Sequence, residues 1–215
     1  MIPKISIGKE SIQAVKTQKF LGVLFDDKLS WKDHILSVIS KLNSYLGATR
    51  RARDYLNKSA LFTIYHSLMQ SRIQYCCETW GAWEPRGNQV ILQRLQAACN
   101  KFFRLIIYNL DQRDSVRSLL KSNNVLNMNQ IYNYSVCKTM HRAKYGFLPA
   151  PLCRIFEQSL GNSVFDCPNP RIKRTEKSIH YAGPKIWNSL SNVVINESEF
   201  KKFQSGLKKI IIETV

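Results

Sequence analysis

The apolar run Phe20 to Phe25 ends abruptly in Asp26-Asp27, and from Ser30 onward the hydrophobic spacing is helical. That switch constrains the chain more than any other feature. Before it lie short extended runs: Ile2, Ile5 and Ile7, then Ile12 and Val15, then Phe20 to Phe25, with Gly8 as a natural turn residue between the first two. After it no strand pattern returns. Trp31, Ile35, Val38, Ile39, Leu42, Tyr45 and Leu46 recur at i, i+4, i+7 and i+8. They predict a long amphipathic helix, with Ser30 as its N-cap and Asp33 in its first turn. Two or three strands of this size do not stand alone in water. They must lie on the helices or belong to a larger sheet.

The remaining sequence continues in helical period. A second helix is expected from near Asn57–Ser59, burying Leu61, Ile64, Tyr65, Leu68 and Met69, with Gly81, Pro85 and Gly87 punctuating the turn after it. A third runs from about Asn88 to Tyr108, with Ile91, Leu95, Ala98, Phe102 and Ile106 on one face. Residues 111–129 read as a short helix and a loop, 130–145 as a helix closed by Gly146 and Pro149, and 151–158 as a short helix. Gly183-Pro184 is expected to start another, and Glu199 to Ile212 makes a final amphipathic helix. The fold class is therefore mainly α, a helical bundle with a short N-terminal β element. Its expected divisions are 1–29 (strands), 30–110 (helical bundle), 111–158 (further helices), 159–182 (a basic linker) and 183–215 (C-terminal helices).

Charge decides the class of partner. The chain carries 32 Lys+Arg against 15 Asp+Glu, a formal net charge of +17 over 215 residues. A charge of that size repels itself, and a polyanion relieves it. Nucleic acid is the first candidate and an anionic membrane the second, with plain solvated charge as the bland alternative. No run of apolar residues is long enough to span a bilayer, and Met1-Ile2-Pro3-Lys4 lacks the apolar core of a signal peptide. An intracellular location, nucleus or cytoplasm, with no membrane partner is the expectation. The six cysteines are then expected to be thiols.

Four stretches carry a family resemblance. Phe20-Leu21-Gly22-Val23-Leu24-Phe25-Asp26-Asp27-Lys28-Leu29-Ser30-Trp31-Lys32-Asp33-His34-Ile35 resembles the segment of non-LTR retrotransposon reverse transcriptases of the jockey and CR1 type where an aromatic-Leu-Gly strand leads into the thumb. Tyr65 to Tyr75 is similar to the second thumb helix. Trp80-Gly81-Ala82-Trp83 with Leu92 to Ala98 is similar to the Trp-Gly turn and its following helix. Ala182-Gly183-Pro184-Lys185-Ile186-Trp187-Asn188-Ser189-Leu190, followed by Phe200-Lys201-Lys202-Phe203, is similar to an element near the polymerase C-terminus. Ser191 stands where that family usually has proline.

The resemblance implies that residues 1–29 are the last strands of a polymerase palm, that a thumb follows, and that the fingers, the catalytic palm and an endonuclease lie upstream. It implies a fragment of an RNA-directed DNA polymerase that binds template–primer RNA or RNA–DNA hybrid and is not catalytic alone. The partners implied are that nucleic acid and the upstream palm and fingers of the parent enzyme. Phe20, Leu21 and Gly22 would form the primer grip, where a glycine lets a backbone approach a sugar-phosphate closely. The parent enzyme would use magnesium, and no cofactor is expected for this chain. Asp26-Asp27 imitates the paired aspartates of such polymerases. Two-metal phosphoryl transfer needs a further carboxylate on a neighbouring strand, and residues 1–25 contain no Asp. A polar turn before a helix is the expected role.

Cationic residues at Arg50, Arg51 and Arg53, and at Arg94, Lys101 and Arg104 beside an apolar helix face, suit the backbone of a hybrid duplex, because they neutralise phosphate without reading bases. The alternative for each stripe is a solvated helix face. Arg171, Lys173, Arg174 and Lys177 form a further patch, suited to single-stranded template or to nuclear localisation. Cys137 and His141 have helical i, i+4 spacing, and Cys153, Cys167 and His180 are conceivable further zinc ligands, yet no compact Cys-x2-Cys pattern is present. Buried thiols are the simpler expectation. His34 and His66 are expected at the surface or at helix boundaries, and Trp31 and Trp187 in the core. Two other readings remain open on sequence alone: a decayed retroelement remnant without function, and a host-recruited basic adaptor that binds proteins through its exposed apolar strand region.

Overall fold

A computed structural model describes residues 5–8, 10–82, 89–107, 115–156, 164–167, 169, 176 and 178–213. The chain is mainly helical with a short N-terminal β element. Two antiparallel hairpins come first: β1 (Ile5–Ile7) with β2 (Glu10–Ile12), and β3 (Thr17–Phe20) with β4 (Val23–Asp26). Gly8 lies at the first bend, with φ +63. The run Phe20–Phe25, which reads as one strand, is folded back on itself. Phe20 pairs with Val23 across Leu21-Gly22, whose φ angles are 45 and 85. Two consecutive positive φ values are the turn geometry that matches strand twist in a two-residue hairpin. Gly22 supplies one of them without strain, and Leu21 does not.

Helix α1 (Lys32–Ala52) follows, buries Ile35, Val38 and Leu42, and packs along α5 (Gln89–Ile106). It runs on through Gly47, so its last turn reaches Arg50 and Arg51. Helix α2 (Lys58–Ile64) is capped by the Asn57 side chain, which accepts from the Ala60 N–H at 2.8 Å. It runs through a π turn (Tyr65–Gln70) into α3 (Ser71–Gln74). Leu61, Tyr65, Met69 and Ile73, spaced four apart, are all fully buried. At 3.6 residues per turn that spacing would drift round the helix, and the wider turn removes the drift. Tyr75 breaks the helix, Cys76 sits at φ 51, and α4 (Cys77–Trp80) adds one more turn.

The second half is built round α7 (Met128–Lys144), which follows α6 (Val116–Ser122) and starts with a reciprocal cap between Asn127 and Gln130. It packs against α3 and α4 on one side and against α9 (Ile179–Asn188) and α11 (Phe200–Glu213) on the other. Short α8 (Ala150–Cys153) and α10 (Asn192–Ile195) complete the order. One connected set of buried side chains extends from Ile35 to Ile212. Helix α9 begins four residues before Gly183-Pro184, so that pair lies inside it rather than at its start. The reason is tertiary. Gly183 and Pro184 are buried, and a Cβ on Gly183 would stand 2.6 Å from Met140 Sδ of α7. The close approach offsets the helical bond that proline removes.

Trp187 and Trp80 are both core residues, and Trp31 is half-buried. Trp83 lies outside the described residues. Cys77, Cys99 and Cys137 are buried free thiols, pushed up to about 12 by burial, and behave as small apolar groups. Cys76 and Cys153 are half-buried and Cys167 is exposed.

Gly81 tests the junction between the two halves. A Cβ there would lie 2.7 Å from the Cys77 carbonyl oxygen and 3.3 Å from Tyr132 Cδ2 of α7. The first obstacle is backbone and does not give. Gly81→Ala is expected to lower stability by about 1–3 kcal/mol, the usual cost of overpacking, read from the urea midpoint. An unchanged midpoint would show that the α4–α7 junction is loose.

Candidate nucleic-acid interface

The first of the paired aspartates is structural. Asp26 Oδ1 accepts the Lys28 N–H at 3.1 Å and the Ser30 N–H at 2.9 Å, and Oδ2 accepts the Trp31 N–H at 2.8 Å. Burial works upward on this carboxyl, but the Ser30, Trp31 and Lys28 N–H groups outweigh it and hold the acid below its ordinary value. Asp26 thus closes the turn ahead of α1, while Ser30, the expected cap, accepts the Lys32 N–H of the first helical residue at 3.5 Å. The residue at the helix boundary is Trp31, in the left-handed region at φ 62, with no side-chain cap of its own. Asp33 instead accepts the Thr17 hydroxyl at 3.3 Å.

His34 is the second tie. It is 6 % exposed, not a surface residue, and its ring lies edge-on to Trp80 at 5.3 Å. The Leu24 N–H donates to its Nδ1 at 3.3 Å, which places the ring proton on Nε2. Burial, with the Arg72 charge added, holds the imidazole below its ordinary value. A neutral His34 therefore joins β4 to α1.

At the far end of this hairpin sit Phe20, Leu21 and Gly22. Phe20 is 63 % exposed and Leu21 75 %. The Tyr75 hydroxyl donates to the Leu21 carbonyl at 2.6 Å, and a Cβ on Gly22 would meet the Tyr75 ring at 3.6 Å. The resemblance marks the hairpin tip and gives no sign of the Tyr75 that holds it. Tyr75 belongs to an open cleft of about 280 Å³, shared with Tyr45 of α1 and with Ser67, Leu68, Ser71 and Arg72. Arg72 Nη2 donates to Tyr45 Oη at 3.5 Å. These residues are brought together only by the packing of α1 against the Lys58–Gln74 helix, so no local spacing announces them.

The predicted cations occupy separate places. Arg50 and Arg51 are exposed in the last turn of α1, where the helix dipole favours them, and Arg53 begins the short 3-10 turn after it. Arg94 and Lys101 are exposed on α5, and Arg104 is half-buried in its last turn. Since α1 and α5 pack together, both groups flank one helix pair. Arg171, Lys173 and Arg174 lie outside the described residues. Between described residues one ion pair forms, Lys202 with Glu199 at 2.8 Å. Arg50, Arg51, Arg94 and Lys101 are exposed and pair with no carboxylate among the described residues.

The candidate zinc ligands do not converge. His141 is fully buried on α7, its Nε2 donates to the Glu197 carbonyl at 2.9 Å, and its ring lies 4.2 Å from that of Phe203 and 4.6 Å from that of Tyr145. Burial, despite the Glu197 bond, keeps it below its ordinary value. Among the described residues no three His, Cys, Asp or Glu side chains gather as a metal site, and no helix is long and apolar enough to cross a membrane.

No protein-family model and no solved structure matches the chain. It is similar to a curated protein of Drosophila melanogaster described as a probable RNA-directed DNA polymerase from transposon X-element, 27% identical over 107 residues. The match covers 48% of this chain and 11% of that protein, so the chain spans a small part of its relative's length.

The ties of the hairpin are sensitive to acid. The unfolded histidine, with pKa about 6.5, takes up a proton that folded His34 resists. Stability is then fully present above that value and falls as pH drops from it toward the lowered folded value. Thermal midpoints measured from pH 8 to 5 are expected to fall. The fall should be smaller in His34→Gln, whose amide oxygen accepts from Leu24 without titrating. Equal pH profiles for the two proteins would contradict a neutral His34.

Proposed function

We propose that the chain is the thumb-like part of a retrotransposon RNA-directed DNA polymerase of the non-LTR type, and that it holds template and primer through cationic helices without supplying the catalytic carboxylates. The observation that carries this reading is the hairpin tip. Leu21 combines a positive φ of 45 with 75 % exposure. A large apolar residue in that conformation costs about 1–2 kcal/mol and gains no burial in return. Strain of this kind is kept where a contact needs it. The tip is seated on Tyr75 beside the Arg72 cleft, where an incoming sugar-phosphate backbone would meet both an apolar edge and a cation. The similarity to part of a transposon polymerase supports the same reading.

The division of labour follows. Arg50, Arg51 and Arg53 at the end of α1, and Arg94, Lys101 and Arg104 along α5, neutralise phosphates without reading sequence. Magnesium, which the parent polymerase would use, does not fit Asp26-Asp27. The Asp26 oxygens are already shared among three backbone N–H groups, and no third acidic or imidazole group joins them among the described residues. The metal-binding carboxylates of this reading lie elsewhere in the parent enzyme, in its palm, and this chain alone is expected to be inactive.

Binding of a labelled RNA–DNA hybrid is expected at low salt and should fall steeply with log salt, as counterion release requires. Leu21→Asn should separate stability from binding. Asn-Gly suits the two-residue turn, so the variant gains stability by about 1 kcal/mol while binding the hybrid more weakly. No binding of the hybrid at low salt ends this reading. A protein partner that survives nuclease treatment would then favour the adaptor alternative.

A further inference from the structure

The cleft between α1 and the Lys58–Gln74 helix sorts its hydrogen-bonding groups by kind. Three hydroxyl protons are already committed. Ser67 Oγ donates to the Ile64 carbonyl at 3.3 Å, Ser71 Oγ to the Ser67 carbonyl, and Tyr75 Oη to the Leu21 carbonyl at 2.6 Å. Back-bonding of this type fixes a helical serine hydroxyl with its proton turned to the backbone. These oxygens therefore offer the cleft lone pairs only. Arg72 and Tyr45 offer the reverse. The guanidinium gives one N–H to Tyr45 Oη at 3.5 Å. Its other N–H groups and the Tyr45 hydroxyl proton remain as donors. Arg72 is exposed and pairs with no carboxylate among the described residues. Leu68, also exposed, adds an apolar surface at the rim.

A ligand that satisfies both halves carries an anion and a hydrogen-bond donor within one short span. The phosphate of a nucleic-acid backbone supplies the anion. Only ribose supplies the donor beside it, because the 2′-hydroxyl both donates and accepts. We propose that this cleft holds the backbone of an RNA strand, with a phosphate on Arg72 and Tyr45 and a 2′-hydroxyl donating to Ser67, Ser71 or Tyr75. The inference rests on the nucleic-acid reading above and sharpens it: the strand lying next to the hairpin tip is ribonucleotide rather than deoxyribonucleotide.

The test compares three fluorescent single strands of one unstructured sequence, made as RNA, as DNA and as fully 2′-O-methylated RNA, by anisotropy at one salt concentration. The methylated strand keeps the ribose oxygen and loses the donor. One net hydrogen bond should make RNA bind about three- to tenfold more tightly than either comparison strand. In Ser67→Ala with Ser71→Ala, the RNA-to-DNA ratio should move toward one. The comparison of strands on the unaltered protein does not depend on how any variant folds. Equal, salt-sensitive affinity for RNA and DNA overturns the inference and leaves the nucleic-acid reading standing. Equal affinity for RNA and methylated RNA, both above DNA, overturns it too, because sugar pucker rather than the donated proton would then be recognised. No binding of any strand at low salt overturns the inference, and no binding of the RNA–DNA hybrid under the same conditions overturns the nucleic-acid reading with it.

Discussion

The carboxylate of Asp26 fixes the geometry on which the proposed interface depends. It closes the turn after β4 by accepting three backbone N–H groups, the last of them at the boundary of α1. A hairpin of two four-residue strands has little stability of its own. This one is held at three points: Asp26 at its base, His34 along β4, and Tyr75 at its tip. The three belong to different elements, so the hairpin inherits the rigidity of the helical core. Negative charge at the start of α1 is also favoured by the helix dipole.

The core and the surface divide the remaining tasks. A continuous set of buried apolar and aromatic side chains from α1 to α11 stabilises the bundle, while between described residues only one cation pairs with a carboxylate. Exposed pairs contribute little to stability, so their scarcity weakens the fold very little. It leaves Arg50, Arg51, Arg94 and Lys101 exposed on a rigid helix pair.

Most helices were legible in the sequence, because their apolar residues repeat at helical spacing and a cap such as Asn57 before α2 is local; α7 begins two residues before the expected Gln130, where Asn127 and Gln130 cap each other. What was hidden depends on distant contacts. Leu21 lacks the residue type that marks a turn, so the hairpin reads as a strand. Ser30 has the residue type of a cap and accepts the Lys32 N–H at 3.5 Å, but the N–H groups just ahead of the helix go to Asp26, whose side chain reaches forward over the turn. Gly183-Pro184 reads as a helix start, yet the close approach to Met140 keeps it inside α9. His34 shows no catalytic spacing, and its burial beneath the hairpin follows from packing alone. The tip residues Phe20, Leu21 and Gly22 were marked as candidates by resemblance. The cleft of Tyr45, Ser67, Ser71, Arg72 and Tyr75 carried no signal, since α1 and the next helix meet only in the fold.

The central claim is that the β3–β4 tip, the Arg72 cleft and the flanks of α1 and α5 act together as one surface for nucleic acid. Amide hydrogen exchange with and without an RNA–DNA hybrid reads that surface directly. The account predicts slowed exchange in 17–26 and 67–76 on adding the hybrid, with the α9–α11 face unchanged. Protection confined to α9–α11, or none while the hybrid is bound, would contradict it.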